Sequence, residues 1–350
     1  MTLLIDESNL HDYLRRSCVS DYSRQEIALL AATMTCCAEK VCQLLQAGAD
    51  PLVGGQSGES AFEISVYYAV DPWRHQEKMA FQKITKMFLE KLKPAGLTWF
   101  KRLNTQGLSP LCWAAFHNAI DVMHYLLDIG VNVNQMSYLG MTPLHFSAEM
   151  NRREACELLL AQADIEVEKK DHHGATAIHH AAKNGAITVL NQLLSVPFVD
   201  LSRQDVHGNT AIWWATHNCR GEVAERLLDE CAGRHIGVEV IGHDPHMMKS
   251  SSVLHNAVRY CSLVVVRRLL AERINLNEVV GGQTPFCVAV EQGDLSLVQD
   301  FLCDPSIDIN LCSSPVLSPL GIAIKRRDFK MVELLFRQGK RLNVELQMGI

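Results

Sequence analysis

The sequence of 350 residues lacks long hydrophobic runs. Its longest apolar stretches, such as Leu263 to Val266, are interrupted by charge after a few residues. A bilayer-spanning helix needs about 20 consecutive apolar residues, so we expect no membrane anchor. Asp6 and Glu7 also interrupt the segment where a signal peptide would need an apolar core. We therefore expect a cytoplasmic or nuclear protein.

An excess of basic residues is absent as well. The chain has 33 Lys and Arg against 39 Asp and Glu, which gives a formal net charge of -6. Proteins that bind nucleic acid by neutralising phosphates normally show a strong basic excess. The balance argues against a nucleic-acid partner.

Paired cysteine motifs and catalytic motifs are also missing. The 12 cysteines are scattered, and no C-x-x-C occurs, which favours reduced thiols that serve as small buried side chains. No G-x-S-x-G, P-loop, H-E-x-x-H or G-x-G-x-x-G is found. These absences favour a protein without a disulfide framework, metal or cofactor, and they lean against an enzyme.

What the chain does have is a repeat. Thr142-Pro143-Leu144-His145-Phe146-Ser147-Ala148 recurs in altered form at Thr176 and Thr210, and more weakly elsewhere. The anchor positions are 27, 60, 109, 142, 176, 210, 252, 284 and 318, with most spacings between 32 and 34 residues. A period of this length indicates a repeat architecture.

Each repeat predicts a pair of helices. The Thr or Ser anchor is a side-chain N-cap, and a Pro just after it suits the first helical position. Glycines such as Gly185 and Gly293 end the first helix, and paired apolar residues such as Leu158 and Leu159 mark the second. Turn residues then lead into a short hairpin. One such unit cannot bury its apolar face alone, so neighbouring units must stack.

The T-P-L-H-x-A pattern at this period resembles the ankyrin repeat. The resemblance implies an all-α solenoid of about nine helix-turn-helix units with short β-hairpin turns, covering residues 22–350 after an N-terminal capping segment, 1–21. The predicted repeats are 22–55, 56–103, 104–136, 137–170, 171–204, 205–246, 247–278, 279–312 and 313–350.

Two insertions and several substitutions depart from this pattern. The 49-residue spacing after Ser60 places an insertion between Val70 and Asn104, and a second lies between Cys231 and Lys249, where we expect a long loop. Residues 73–101 alternate lysines with apolar residues. We interpret them as a lengthened second helix with a solvated basic face, although such a helix can also meet a membrane or a partner. Trp213 and Gly321 replace the motif His in their repeats.

The histidines divide into two groups. The resemblance assigns the motif histidines His145, His179 and His255 to the fold, where each bonds its own N-cap and a neighbouring hairpin. Other positions at hairpin tips and at the ends of first helices line the concave surface by which ankyrin repeats bind partners. That surface predicts contacts from Phe116, His117, Tyr138, Met141, Glu149, His172, His173, His207, Trp214, His217, Arg259 and Tyr260.

Two functional hypotheses follow. The first is a protein-interaction module that grips a protein partner, because aromatic, His and Arg side chains dominate binding hot spots. The alternative is an unusual enzyme or small-molecule binder, in which repeats four to seven and the 231–249 loop close a pocket over His207, Trp214, His217 and Tyr260. The catalytic residues of such an enzyme are unknown.

Overall fold

A computed structural model describes residues 24–53, 60–70, 77–92, 107–197, 199–238, 241–244, 249–261, 263–272, 274–312, 314, 317–338 and 342–343. The predicted capping segment, 1–21, lies outside them, as does much of the first insertion. The chain divides into two compact lobes, the N-terminal lobe, Met1–His172, and the C-terminal lobe, His173–Ile350.

The N-terminal lobe contains four helix pairs in its described residues, one in each of the first four predicted repeats. The pairs are α1 (Arg24–Met34) and α2 (Ala38–Gln46), α3 (Ala61–Val70) and α4 (Lys78–Leu92), α5 (Pro110–His117) and α6 (Ile120–Asp128), and α7 (Pro143–Glu149) and α8 (Arg153–Leu160).

The C-terminal lobe contains five pairs and two short strands among its described residues. They are α9 (Ala177–Asn184) and α10 (Ile187–Leu194), α11 (Ala211–His217) and α12 (Gly221–Arg234), strands β1 (Ile241–Asp244) and β2 (Lys249–Ser252), α13 (Val253–Tyr260) and α14 (Leu263–Ala271), α15 (Pro285–Gln292) and α16 (Leu295–Leu302), and α17 (Pro319–Lys325) and α18 (Phe329–Phe336). The all-α prediction is confirmed.

The predicted N-caps are confirmed at eight anchors. The Ser109, Thr210, Ser252, Thr284 and Ser318 side chains accept from backbone N–H groups three residues on, and Thr142 and Thr176 form reciprocal capping boxes with His145 and His179. Ser60 makes a similar exchange with Glu63. Each cap satisfies N–H groups that a helix end leaves unpaired. The first anchor is wrong, because α1 already includes Arg24 and so begins before Ile27.

The hairpins are less regular than predicted. Among the described residues, only β1 and β2 form an antiparallel ladder, and Val280 and Gln283 form one isolated bridge. Other tips are tight turns such as Ser137 to Met141, where the Ser137 N–H donates to the Met141 carbonyl at 2.8 Å. A closed turn of this length leaves no room for a ladder. The predicted 231–249 loop is also wrong in part, because α12 continues to Arg234 and β1 and β2 follow.

One motif position links successive repeats. The His179 Nε2 atom lies 3.0 Å from the Arg203 carbonyl oxygen, and His255 Nε2 lies 3.0 Å from that of Gln283. This confirms the structural role of these two histidines. In the sixth repeat Trp213 occupies the same position, and its Nε1–H donates to the Ser251 carbonyl at 2.8 Å. The substitution therefore preserves a bond between repeats across the second insertion.

The cysteines follow the prediction only in part. Cys112, Cys156, Cys231 and Cys287 are buried, whereas Cys37, Cys219 and Cys303 are exposed, and all described cysteines are free thiols.

The core is formed by the facing sides of the helices, with large buried residues such as Phe81, Leu126 and Phe301. No helix in the described residues is both long enough and apolar enough to cross a membrane.

Candidate functional site

The predicted contact residues are divided between the two lobes. The N-terminal lobe holds Phe116, His117, Tyr138, Met141, Glu149 and His172, and the C-terminal lobe holds His173, His207, Trp214, His217, Arg259 and Tyr260. Each set is described within its own lobe.

The hairpin tips of the N-terminal lobe stack through backbone bonds. The Tyr138 N–H donates to the Gly107 carbonyl at 2.8 Å, and the His172 N–H donates to the Leu139 carbonyl at 3.0 Å. Gly140 has a φ of 76°, and a Cβ atom there would lie 2.5 Å from the His172 ring. The glycine is therefore required both for its positive φ and for space. Tyr138 is 77% exposed at the tip.

Phe116 and His117 lie in an aromatic cluster at the end of α5. The His117 ring is 4.3 Å from the Trp113 ring and 5.3 Å from the Tyr67 ring, centroid to centroid. Its Nε2 atom is buried without a hydrogen-bond partner. Burial, with a smaller contribution from the Arg152 charge, lowers the pKa of His117 to about 4. This imidazole is neutral at physiological pH.

Met141 was predicted to contact a partner, but its side chain is only 5% exposed. It packs with Cys112 and Phe146 in a core cluster, against which Phe116 is also placed. Its role is inter-repeat packing, because the residue after the tip glycine turns inward here. Glu149, at the end of α7, is half-buried.

In the C-terminal lobe, the ends of three consecutive first helices bring side chains into a row. Lys183 is the penultimate residue of α9, whereas His217 and Tyr260 are the last residues of α11 and α13. The His217 ring stacks on Trp213 at 4.6 Å with an interplanar angle of 11°, and Tyr260 meets His217 edge-on at 5.6 Å. Lys183 Nζ lies 4.8 Å from the Trp214 ring centroid, within cation–π range. We call Lys183, His217, Arg259 and Tyr260 the helix-end surface.

Accessibility differs along this surface. Tyr260 is 40% exposed and Arg259 is exposed, whereas His217 and Lys183 are half-buried. Trp214 is only 8% exposed, and its Nε1–H donates to Asp205 Oδ2 at 2.9 Å. Trp214 was predicted to contact a partner, but burial makes it a support beneath the surface.

Asp205 organises the neighbouring hairpin tip. Its Oδ1 atom accepts from the backbone N–H groups of His207 at 2.8 Å and Asn209 at 2.9 Å. His207 is half-buried at this tip, and His173 is exposed on the preceding one, where its carbonyl accepts from the Val206 N–H at 2.9 Å. These two histidines therefore lie on adjacent tips.

Sequence reasoning missed two exposed apolar tip residues. Leu139 is 55% exposed and Val206 is 63% exposed. The sequence could have indicated both residues, because an apolar side chain within a predicted turn has no core to pack against. Among the residues that the structure describes, no group of three or more His, Cys, Asp or Glu side chains is placed to hold a metal ion.

Comparison with protein families agrees with the geometry. A family model described as ankyrin repeats (3 copies) matches residues 79–171 and again residues 163–240. The matched residues include the capping boxes at Thr142 and Thr176 and the stacked hairpin tips. Residues 79–240 are therefore a run of ankyrin repeats.

Proposed function

We propose that this protein is a non-enzymatic interaction module that binds a partner protein through the helix-end surface of its C-terminal lobe. Ankyrin repeats in general are protein-interaction modules. The observation that carries the proposal is the row formed by Lys183, His217, Arg259 and Tyr260 at the ends of α9, α11 and α13.

The chemistry of this row suits a hot spot. Tyr260 offers a large amphipathic ring, and its edge-on contact with His217 restricts that ring before binding. Arg259 and Lys183 add positive charge beside it. Hot spots are enriched in Tyr, Trp and Arg, and prior immobilisation reduces the entropy lost on association.

The surface is supported from below. Trp213 stacks under His217, and Trp214 is fixed by Asp205. Substitutions at these tryptophans would disturb the repeat itself, so they cannot report on a partner contact. Tyr260 and Arg259 are the suitable probes because they are exposed.

The test is capture of partners by the tagged 350-residue chain, followed by measurement of affinity for the protein recovered. We expect Tyr260→Ala to weaken binding by about tenfold or more, which corresponds to about 1.4 kcal/mol or more for a hot-spot residue. Arg259→Ala tests the same surface. Circular dichroism spectra and melting temperatures should match those of the wild type.

Phe329→Ala is the matched control. Phe329 lies at the start of α18 and is 83% exposed, so its removal deletes a large exposed ring outside the surface. Equal loss of binding in the control and in Tyr260→Ala would argue against the helix-end surface. Tyr138→Ala asks separately whether the N-terminal lobe takes part. The alternative of an enzyme or small-molecule binder stays a prediction.

A further inference from the structure

A groove of about 860 Å³ lies in the N-terminal lobe, between α4 and the start of α6. Elsewhere in this lobe, adjacent second helices pack together, as α2 does with α4 and α6 does with α8, but α4 and α6 make few direct contacts. Tyr125 spans the gap by donating its hydroxyl hydrogen to the Leu89 carbonyl at 2.8 Å. The groove is therefore a break in the stacking next to the first insertion.

The floor of the groove is apolar. Ala69, Leu89, Ala119 and Val122 line it, and each of these side chains is buried. Met79 stands at the rim and is 74% exposed. Because the floor side chains are already buried, Met79 and the half-buried Ile120 supply the apolar surface that gains free energy when another molecule covers it.

The rim is cationic. Lys78, Lys83 and Lys86 project from one face of α4, and Arg152, whose Nε–H donates to the Phe116 carbonyl at 3.0 Å, also lines the groove. The three lysines are exposed, and no acidic side chain pairs with them in the described part of the chain.

Among the described residues, one acidic side chain, Asp121, lines the groove against three lysines and Arg152. Glu90, four residues after Lys86 on α4, and Glu154, which accepts from the Asn118 amide at 3.1 Å, lie nearby. His117 also lines the groove and is neutral. The groove is thus positive in a chain whose net charge is -6.

We infer that this groove binds an acidic amphipathic helix of a partner protein, as a second interface distinct from the helix-end surface. The lining residues of α4 run from Lys78 to Leu89 at spacings that keep them on one side of the helix, which gives a contact line of about 17 Å, or three turns. A helix laid along it would place apolar side chains on the floor and carboxylates against the lysines. A flat membrane fits less well, because the apolar residues other than Met79 lie at the bottom of a concavity.

The probe is a synthetic peptide of about 16 residues, long enough to cover α4, with Leu at every third or fourth position and Glu elsewhere. A matched peptide carries Lys in place of Glu. Fluorescence anisotropy with the 350-residue chain should show binding of the Glu peptide only. Binding should weaken as salt rises from about 0.05 to about 0.5 M, because ions screen exposed charges.

The decisive variant is Lys83→Glu with Lys86→Glu, which should weaken binding of the Glu peptide by about tenfold or more. Lys40→Glu with Lys330→Glu is the control. It changes the net charge equally at two exposed lysines outside the groove, and it should alter affinity by less than about twofold. Hydrogen exchange with bound peptide should show protection in α4 and residues 118–125.

Four outcomes would overturn the inference: no binding of the Glu peptide, equal binding of the Lys peptide, full binding by the Lys83→Glu/Lys86→Glu variant, or protection confined to the C-terminal lobe. Vesicles of phosphatidylserine and phosphatidylcholine form a further arm. Vesicle binding that depends on Lys83 and Lys86 while the peptide fails would assign the groove to an anionic membrane instead. The Tyr260→Ala result does not bear on any of these outcomes, since that residue lies in the other lobe.

Discussion

At the residue scale, burial decides which of the predicted contacts are available. Met141 and Trp214 fit the expected contact positions by sequence, but one lies in a core cluster and the other donates to a buried carboxylate. Tyr138 and Tyr260 match the same kind of position and are exposed. A single sequence gives the side-chain type at a position, whereas the direction of that side chain depends on the packing of the neighbouring repeat.

We expect His117 to make the stability of the fold depend on pH. Its pKa of about 4 in the folded protein lies below the ordinary value of 6.5, so the unfolded chain binds more protons between these values. We therefore expect the free energy of unfolding to keep its full value above about pH 6.5 and to fall as the pH drops toward 4, with a loss of about 2 kcal/mol at pH 5. Burial also lowers the pKa of His179 and His255, which act in the same direction.

We expect His117→Phe to reduce this pH dependence. Phenylalanine has a similar ring, does not titrate, and removes an Nε2 atom that has no partner. Urea unfolding at pH 7 and pH 5 should show a smaller loss of unfolding free energy in the variant than in the wild type. His124→Gln, at an exposed position on α6, should behave as the wild type. An unchanged pH dependence in His117→Phe would assign the effect to other groups.

At the element scale, the sequence predicted most helices because their caps are local. Thr176 and His179 are three residues apart, so a capping box can be read from the chain. The second insertion was predicted to be a loop because no feature of the neighbouring sequence shows that β1 packs across the Trp213 indole. A Cβ on Gly242 would lie 2.6 Å from the Trp213 Nε1 atom. That contact joins residues 29 positions apart and appears only in three dimensions.

The bond from Trp213 to Ser251 should contribute measurably to stability. We expect Trp213→Phe to lower the unfolding free energy by about 2–4 kcal/mol, because it leaves a carbonyl without its donor and opens a small cavity. Trp113→Phe is the matched control, since the Trp113 Nε1–H is also buried but has no partner. Denaturant unfolding of both variants should show the larger loss for Trp213→Phe. Equal losses would mean that ring volume alone accounts for the effect.

At the scale of the whole molecule, the sequence predicted the repeat architecture but not the groove. The repeat period fixes which helices stack, and the 49-residue spacing placed an insertion next to α4. The spacing could not show that α4 and α6 would separate, because the distance between these two helices depends on how the inserted residues are accommodated. The basic face of α4 was visible in the sequence, and its lysines are exposed as predicted.

Thiol reactivity should report on the native fold as a whole. Burial raises the pKa of Cys112 and Cys156 to about 12 and that of Cys231 to about 11, so these thiols are protonated as well as inaccessible. With a disulfide reagent at pH 8, we expect Cys37, Cys219 and Cys303 to react first. Mass spectrometry of the labelled peptides identifies the sites. Rapid labelling of the buried set without denaturant would contradict the described core.

Trp213, at the position of the motif histidine, affects how this chain accommodates an insertion. An indole reaches farther than an imidazole, and Trp213 spans to Ser251, 38 residues away in sequence, where His179 spans to Arg203, 24 residues away. With a longer side-chain donor, a repeat can contain an insertion and still form its hydrogen bond to the next repeat. In this chain, the extra residues between Arg234 and Ser251 are thus accommodated while one side chain keeps the two repeats joined.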